Sequence, residues 1–298
     1  MDDEGRIWQQ VIGGALGLAV LGLAGGYLGW LHPFGDSLAV GRGIAAAAVL
    51  VLAVFATFAG LRMAAFVSML LAMLCGGQVL LAYTWPGLPG RYSLYQKNVL
   101  YRNADLAALE ADIRAADPMI VTLQEVRPEN QPFLDGLKDA YPTQILCTGG
   151  VVGGPAILTR LTPVEGTAFC GPGLAAMQVV AGPDDNQDRF WLVSVHLHWP
   201  WPYRQSEHVE LLLPILDKLQ GPAILAGDFN MVRWANSVKR LSDILGVRPA
   251  GPTAGSYIGL SGLFPLPIDH VFASRGGRVS LRPAAGSDHL GLLAEVEV

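Results

Sequence analysis

Three long apolar runs dominate the first part of the chain, at residues 11–31, 43–61 and 63–83. Only seven charged residues occur before position 85, and none of them lies inside these runs. As a helix, each run is long enough to cross a hydrocarbon core about 30 Å thick. The pattern predicts a membrane domain over residues 1–84 that contains three transmembrane helices.

Small residues are frequent in these runs and predict close helix packing. The first run contains the glycines Gly13, Gly14, Gly17, Gly22, Gly25 and Gly26. An alternative arrangement, a set of buried core helices, is disfavoured because the runs follow one another with only a short loop and Arg62 between them. The residues before the first run are acidic, and no small-x-small cleavage site follows it, so we expect this run to stay attached rather than to be a signal peptide.

The basic residues near the runs do not decide the orientation in a membrane. Arg6 and Arg62 would lie on one side, and Arg42, Arg91 and Lys97 on the other. Three crossings would place the rest of the chain opposite the amino terminus. We expect a bacterial inner-membrane protein whose second part faces the periplasm.

The pattern changes after a junction at residues 85–95, which is rich in proline and glycine. Short apolar stretches typical of buried strands, at 119–123, 190–197 and 223–226, then alternate with helical patterns such as the one at 211–219. This alternation predicts an α/β fold for residues 96–298.

Polar side chains recur directly after the apolar strands of this second part. A buried sheet presents such residues to a cleft at the carboxyl ends of its strands. The residues at these positions are Asn98, Gln124, Glu125, His196, His198, Asp228, Asn230, Asp269, His270, Ser287, Asp288 and His289.

Taken in order, the segments LQE, VHL, GDFN, IDHVF and SDH resemble the endonuclease/exonuclease/phosphatase superfamily of DNase-I-like phosphoesterases. The resemblance extends from Gln96 to Val298, and GDFN followed by SDH is its most specific part. It implies a two-sheet, four-layer α-β-β-α sandwich that hydrolyses phosphoric ester bonds with Mg²⁺, or with Mn²⁺ as the other candidate ion.

The resemblance also implies a metal site formed by Glu125, Asn98 and Asp288. A hard divalent cation prefers carboxylate oxygens and keeps most of its waters, so few protein ligands suffice. The first strand reads YQKNVLYRN rather than T-x-N-I. The metal-proximal asparagine is therefore either Asn98 or Asn103, and Asn98 is preferred.

The remaining site residues are assigned by the same resemblance. Asp228 would orient and deprotonate the attacking water, and Asn230 would donate its amide to a phosphoryl oxygen. His289 would face the scissile phosphate with Asp269 as the carboxylate that orients it. His196 would lie near the leaving-group oxygen.

Three other histidines have different interpretations. His198 shares the His196 face of a strand, so it is either part of the cleft rim or of a packed corner. His270 is expected to be structural, because it points away from the face that Asp269 uses. His208 is expected to be solvated or to cap a helix.

The net charge of the chain argues against a nucleic-acid substrate. The chain has 20 basic and 25 acidic residues and a formal net charge of −5, which is not typical of a nucleic-acid-binding protein.

The three cysteines of the chain lack the spacing of a zinc site. Cys147 and Cys170 either form a disulfide between neighbouring strands or are two separate thiols.

The predicted function is a membrane-anchored phosphoesterase that acts on a phosphomonoester or phosphodiester, with a lipid-linked phosphate favoured. A nuclease is the second candidate, and Arg127, Arg160, Arg204, Arg233, Lys239 and Arg240 are the basic residues it would use. A membrane scaffold without turnover is a third, disfavoured because the full set of carboxylates is present. A transporter ranks last, because only Ser68 and Gln78 interrupt the third run.

Overall fold

A computed structural model of the protein describes residues 3–103, 105–149, 151–182, 188–259 and 262–298. The chain forms two compact units. The first comprises Met1–Thr84 with the short segments Pro200–Pro202 and Trp234–Asn236, and the second comprises Trp85–Trp199, Tyr203–Arg233 and Ser237–Val298.

The first unit is helical throughout its main segment. Its helices are α1 (Asp3–Gly25), α2 (Phe34–Val40), α3 (Arg42–Phe58) and α4 (Arg62–Thr84). Among the described residues, α1 and α4 are each long and apolar enough to cross a membrane. The middle run qualifies only when α2 and α3 are taken together as a pair bent by 72°. At 1.5 Å per residue α3 alone is about 26 Å long, which is shorter than a hydrocarbon core. Two of the three predicted spans are therefore single apolar helices, and the third is a bent pair.

The predicted first run extends to residue 31, but α1 ends at Gly25. The chain leaves the helix through turns in which Tyr27 N donates to Ala24 O at 2.9 Å and Leu28 N donates to Gly25 O at 2.9 Å. The guanidinium group of Arg42 occupies this corner, where it donates to Gly26 O at 2.6 Å and lies 3.8 Å from the centre of the Tyr27 ring. A polar group thus ends the run earlier than its hydropathy predicts.

Close helix packing involves alanines and three of the six predicted glycines, since a Cβ atom added at Gly13, Gly25 or Gly26 would lie within 3.4 Å of a neighbouring residue. Ala46, Ala53, Ala65 and Ala72 of α3 and α4 are buried in the core of this unit. A Cβ atom added at Gly14, Gly17 or Gly22 would meet no described atom within 4 Å. The prediction that these three glycines mediate close approach is therefore wrong.

The second unit contains thirteen described strands in a mixed arrangement. They are β1 (Tyr92–Asn98), β2 (Ile120–Val126), β3 (Thr143–Leu146), β4 (Gly154–Thr159), β5 (Thr162–Pro163), β6 (Phe169–Gly171), β7 (Leu174–Ala181), β8 (Asp188–His196), β9 (Ala223–Asp228), β10 (Arg248–Gly251), β11 (Asp269–Ala273), β12 (Gly277–Arg282) and β13 (Gly291–Val296). The predicted start of this part at residue 96 falls inside β1.

The strands form two sheets that share β10. One sheet has the order β3-β4-β2-β1-β13-β12, and the other has the order β11-β9-β8-β7-β5 with β6 also paired to β7. Strand β10 pairs with β12 in the first sheet and with β11 in the second. Parallel pairs β1–β2 and β8–β9 lie among antiparallel neighbours.

Apolar side chains from both sheets form one core. Leu94 and Ile157 of the first sheet are buried with Phe190, Leu192 and Val271 of the second, so the two sheets face each other. The helices of this unit are α5 (Ala107–Ala116), α6 (Gln131–Gly136), α7 (Gln205–Leu216) and α8 (Asn236–Ile244), with a 3-10 helix at Pro128–Asn130. Residues of α5 and α6 pack with the other face of the first sheet in a second core. The predicted α/β class is confirmed.

Candidate active site

Strand register places three of the predicted site residues side by side in the second sheet. His196 at the end of β8 is paired with Asp228 at the end of β9, and Asp228 is paired with Asp269 at the start of β11. In the first sheet, Asn98 at the end of β1 is paired with Gln124 of β2. The strand ends of both sheets therefore present polar groups to one place.

Three residues at these strand ends, Gly227, Glu125 and Asn230, have positive φ angles. Gly227 precedes Asp228 with φ +153°, and a Cβ atom there would lie 2.0 Å from Val195 O. Only glycine allows β9 to lie this close to β8. Glu125 has φ +60° within the irregularity that shifts the register between β2 and β4, and Asn230 has φ +48°, a conformation that asparagine tolerates well.

His289 and Asp269 form a buried hydrogen-bonded pair. His289 Nδ1 lies 2.6 Å from Asp269 Oδ2, and the two side chains are 4% and 0% exposed. Burial alone would lower the pKa of His289, but the nearby carboxylates of Asp269 and Asp228 raise this pKa to about 9. Burial opposes ionisation of Asp269, but the charge and hydrogen bond of His289 hold its pKa below the usual value. The geometry favours an imidazolium ion with Asp269 as its counter-ion.

Asp228 lies at the centre of the cluster. Its Oδ1 accepts from Asn230 N at 2.8 Å and its Oδ2 accepts from Asn98 Nδ2 at 2.9 Å. The Nε2 atoms of His196 and His289 each lie 3.7 Å from Oδ2. Burial raises the pKa of this carboxyl, an effect that the neighbouring histidines oppose. A carboxylate with a raised pKa between two imidazoles is suited to accept a proton.

Glu125 and Asn98 form the second part of the cluster. Glu125 Oε1 accepts from Asn98 Nδ2 at 3.1 Å, and its Oε2 accepts from Tyr101 N at 2.8 Å. Asn98 Oδ1 in turn accepts from Leu100 N at 2.9 Å. Asn98 therefore directs its amide nitrogen towards the two carboxylates, and the other candidate asparagine, Asn103, donates to Ala285 O.

Two groups of side chains can be compared as metal ligands. Asp228, Asp269 and His289 bring ligand atoms within 4.8 Å of one another. His289 Nδ1 and Asp269 Oδ2 are hydrogen-bonded to each other, and Asp228 Oδ2 accepts from Asn98 Nδ2. Glu125 and Asp288 offer carboxylate oxygens, the donors that Mg²⁺ and Mn²⁺ prefer, and their side chains are 14% and 35% exposed. The chemistry of this second pair also fits a divalent cation.

Three buried polar residues near the site, Gln96, Lys97 and Ser194, were not predicted from the sequence to belong to it. Gln96 Nε2 donates to Asp269 Oδ1 at 3.0 Å and to Gln124 Oε1 at 2.8 Å, and Gln124 Nε2 donates to Ser194 Oγ at 3.1 Å. Lys97 Nζ donates to the carbonyl oxygens of Pro283 and Ala284. The sequence does contain a signal for the role of β1. This strand, otherwise typical of a buried one, has three consecutive polar residues, Gln96, Lys97 and Asn98.

The other histidines differ in their surroundings. His270 is buried and contacts Met231 O at 2.8 Å, and burial lowers its pKa to about 4, so it has the structural position that we predict. His208 was expected to be solvated or to cap a helix, and both expectations are wrong. It is 5% exposed, accepts from His198 N at 3.3 Å and contacts Pro172 O at 2.9 Å. The sequence places His208 on a helix, but it does not reveal that the loop containing Pro172 covers this face of the helix.

A cleft of about 700 Å³ opens beside the cluster. Glu125, His196 and Asn230 line one end of it. Cys147 and Cys170, which also line it, form a disulfide with Cα atoms 5.5 Å apart. Of the two alternatives for these cysteines, the structure contains the bridged one.

The model of the endonuclease/exonuclease/phosphatase family matches residues 95–289, which include every residue of this cluster. The chain belongs to this family. None of the curated proteins compared with the chain matches it.

Solved structures share the fold of this family member. TDP2 from D. rerio, complexed with a single-strand DNA product, is 16% identical with a TM-score of 0.52, over 68% of this chain and 97% of that chain. Truncated TDP2 from Caenorhabditis elegans is 17% identical with a TM-score of 0.51, over 68% and 96%. The human Nocturnin catalytic domain with bound sulfate is 19% identical with a TM-score of 0.50, over 70% and 94%. At these identities the likeness shows the fold alone.

Proposed function

We propose that this member of the family is a membrane-anchored, divalent-metal-dependent phosphoesterase that hydrolyses a phosphomonoester or phosphodiester. The observation that carries the proposal is the position of Asp228. Its buried carboxylate lies within 4 Å of His196 and His289, and His289 is oriented by Asp269. These four side chains provide a proton acceptor, a proton donor and a positive charge in one place.

The proposed reaction is the attack of a water oxygen on phosphorus with departure of the ester oxygen. Asp228 orients the water and accepts its proton as the new P–O bond forms. His196 supplies a proton to the ester oxygen as the old P–O bond breaks, so that the alcohol leaves uncharged. His289, held as an imidazolium by Asp269, neutralises charge on the phosphoryl oxygens.

Asn230 is proposed to bind a phosphoryl oxygen. Its Nδ2 donates to Leu197 O at 2.8 Å, which fixes the side chain, and a primary amide has a second N–H to donate. Glu125 and Asp288 would hold the cation. Asn98, which was predicted as a third ligand, turns its amide nitrogen rather than its oxygen towards Glu125 and Asp228, so it would keep the two carboxylates in position. When bound, Mg²⁺ or Mn²⁺ supplies charge neutralisation on the phosphate.

The proposal includes an integral membrane location with the four-layer catalytic unit on the periplasmic side of a bacterial inner membrane. The length and hydropathy of α1 and α4 support the first part. The disulfide between Cys147 and Cys170 supports the second, because disulfides persist in oxidising compartments. Extraction with sodium carbonate and an alkaline phosphatase fusion at Val298 would test these two statements separately.

A nuclease is the second candidate, because a structure with this fold contains a single-strand DNA product. The basic residues that a nuclease would need are largely neutralised here. Arg160 pairs with Asp117, Arg204 with Glu207, and Arg240 with Glu210. An ion-paired guanidinium is a poor contact for a phosphate backbone, because the carboxylate has to be displaced. The paired arginines favour a substrate with a single phosphate.

The deciding experiment measures product release by the full-length protein with Mg²⁺, with Mn²⁺ and with chelator. The substrates are phospholipids, bis-p-nitrophenyl phosphate and plasmid DNA. Asp228→Asn should abolish turnover, and Asp217→Asn, which removes an exposed carboxylate of the same unit, should retain it. Cleavage of DNA alone would favour the nuclease. No turnover of any substrate with metal present would favour the non-catalytic membrane scaffold.

A further inference from the structure

The cleft beside the catalytic cluster has an unusual lining. Among the described residues that line it there is no lysine or arginine, and Glu125 at the catalytic end is the one carboxylate. The other lining groups are main chain, the disulfide and the side chains of Thr148, Val151, Val152, Pro155, Pro172, Leu197, His198, Trp199 and His208. A volume of about 700 Å³ is within the usual range for pockets that enclose a small organic ligand.

The His208 imidazole, which lines the cleft, is already paired with the protein. His208 accepts from His198 N through Nδ1, so its Nε2 carries the hydrogen that it donates to Pro172 O. This arrangement is that of a neutral imidazole, and burial lowers the pKa of His208 in agreement with it. The wall therefore offers a ligand little charge to bind.

The backbone of the walls has no room for larger side chains. A Cβ atom at Gly154 would lie 1.7 Å from Cys147 O, and one at Gly153 would lie 2.5 Å from Val126 O. The disulfide joins Cys147, after β3, to Cys170 in β6, so it ties two walls of the cleft together. At the rim, Val151 and Trp199 are 89% and 43% exposed. Exposed apolar residues at the mouth of an apolar cleft favour an apolar occupant.

We propose that this cleft, called here the apolar cleft, binds an extended apolar chain that is attached to the phosphate group of the substrate. The phosphate lies at Glu125 and Asn230, and the chain runs between the disulfide and Trp199. The substrate class is thus a phosphate ester with a long apolar chain, either alkyl or prenyl. The inference rests on the proposed function of the same site and names its substrate class.

A nucleic acid does not fit the same observations. The phosphates on either side of the scissile one would need cations within the cleft, and its described lining offers none. A base could stack on Trp199, but the His208 imidazole is engaged with the protein and is not available to bind the edge of a base. Competition by an oligonucleotide is therefore an outcome that would overturn the proposal.

The test uses full-length protein in nanodiscs with Mg²⁺ and a series of alkyl p-nitrophenyl phosphodiesters. The leaving group is constant, and the second substituent is methyl, butyl or octyl, all used below micelle formation. Since each buried methylene favours binding, kcat/KM should rise by about tenfold or more from the methyl to the octyl ester. Geranyl and decyl esters, which have equal numbers of carbon atoms, separate prenyl from saturated chains.

Variants locate the effect in the apolar cleft. Val152→Glu places a charge on the wall and Trp199→Ala removes the rim, so both should reduce the ratio of octyl to methyl kcat/KM. Leu211→Glu changes an exposed residue of α7 outside the cleft and should leave this ratio unchanged. Three results would overturn the proposal. The first is an active Val152→Glu variant whose ratio of octyl to methyl kcat/KM equals that of the wild type. The others are a kcat/KM that does not depend on chain length and competition of a single-stranded oligonucleotide with the octyl ester.

A binding measurement separates this proposal from the proposed function. Titration calorimetry with methyl and octyl phosphonate, which cannot be hydrolysed at an ester bond, reports chain binding without turnover. If no ester is hydrolysed but octyl phosphonate binds more tightly and Val152→Glu removes the difference, the apolar cleft stands and the phosphoesterase does not. Equal binding of the two phosphonates overturns the proposal for the cleft.

Discussion

The Nδ1 atom of His289 lies 2.6 Å from the Oδ2 atom of Asp269, although Asp269 begins β11 and His289 lies in the segment between β12 and β13. Gln96 donates to the other oxygen of Asp269, and the Tyr257 ring lies 5.0 Å from the His289 ring. These two neighbours hold the pair in place. The imidazole has little freedom to turn, and its Nε2 faces Asp228.

Asp269→Asn should lower kcat by about 10²-fold or more with little change in KM, because the uncharged amide no longer stabilises the imidazolium of His289. Steady-state kinetics on bis-p-nitrophenyl phosphate measure both constants. Asp217→Asn, at an exposed position, is the matched control. An unchanged kcat in Asp269→Asn would contradict the role of this pair.

Glu125→Gln should raise the Mg²⁺ concentration needed for half-maximal activity by about tenfold or more, because a neutral amide oxygen binds a hard cation more weakly than a carboxylate. The measurement is an activation curve with Mg²⁺ and a second with Mn²⁺. Glu129→Gln removes an exposed carboxylate four residues away in the chain and should leave the curve as it is. Equal curves for wild type and Glu125→Gln would remove Glu125 from the metal site.

Lys97→Met should both destabilise the protein and lower kcat. Lys97 is fully buried, and its Nζ donates to Ala284 O at 2.6 Å and to His289 O at 2.5 Å, so it holds the segment that carries Asp288 and His289. Unpaired buried carbonyl groups cost about 1–3 kcal/mol. Urea unfolding and kcat are measured, with the exposed Lys218→Met as the control. A fall in stability with kcat intact would limit Lys97 to a structural role.

Replacing both Cys147 and Cys170 by serine should lower the free energy of unfolding by about 3 kcal/mol, because the crosslink closes a loop of 23 residues. It should also weaken the preference for long-chain esters, since the two walls of the apolar cleft are no longer joined. Thermal unfolding and the ratio of octyl to methyl kcat/KM are measured. Dithiothreitol should lower the stability and the octyl-to-methyl ratio of the wild type and of Cys75→Ala, and it should leave both quantities of the double variant unchanged.

Stability should fall with acid partly through Asp112. Burial raises its pKa, but the Arg282 guanidinium and the Tyr95 hydroxyl, which donates at 2.6 Å, hold it below its usual value. A lowered folded-state pKa contributes stability above the unfolded pKa of about 4, and this contribution is lost as the pH falls through the folded-state value.

Asp112→Asn should therefore cost about 2 kcal/mol at pH 7 and less at pH 3, since pH 3 lies below the unfolded pKa of about 4 and part of the contribution is then lost. Denaturant unfolding at the two pH values measures this difference. The exposed Asp243→Asn should show no such dependence. A cost for Asp112→Asn that is equal at both pH values would show that the charge of Asp112 does not contribute.

Much of the candidate site follows from local pattern. A polar residue at the end of an apolar strand, as in GDFN, can be recognised without knowing any contact, because a strand and its end are properties of neighbouring residues. Glu125 and Asp228 were recognised in this way. Asp269 begins β11 and His289 precedes β13, so these two depended on the family resemblance of IDHVF and SDH, and the structure places all four in one cluster. The α/β class follows from local pattern as well.

Other features depend on partners far along the chain. Lys97 reads as an ordinary exposed residue until Pro283 and Ala284 are placed beside it, and His208 reads as solvated until Pro172 covers it. Likewise, hydropathy continues through residue 31, but α1 ends at Gly25 where Arg42 binds the next carbonyl group.

By itself the sequence determined which segments are apolar, where strands and helices alternate, and which polar groups stand at the strand ends. The tertiary structure alone decided that Cys147 meets Cys170, that Asn98 turns its amide nitrogen towards two carboxylates, and that an uncharged cleft opens beside Glu125. The physical reason is one of range. The periodicity of apolar residues indicates which side chains of a helix or strand are buried. Contacts between elements depend on strand register and packing, which no single segment specifies.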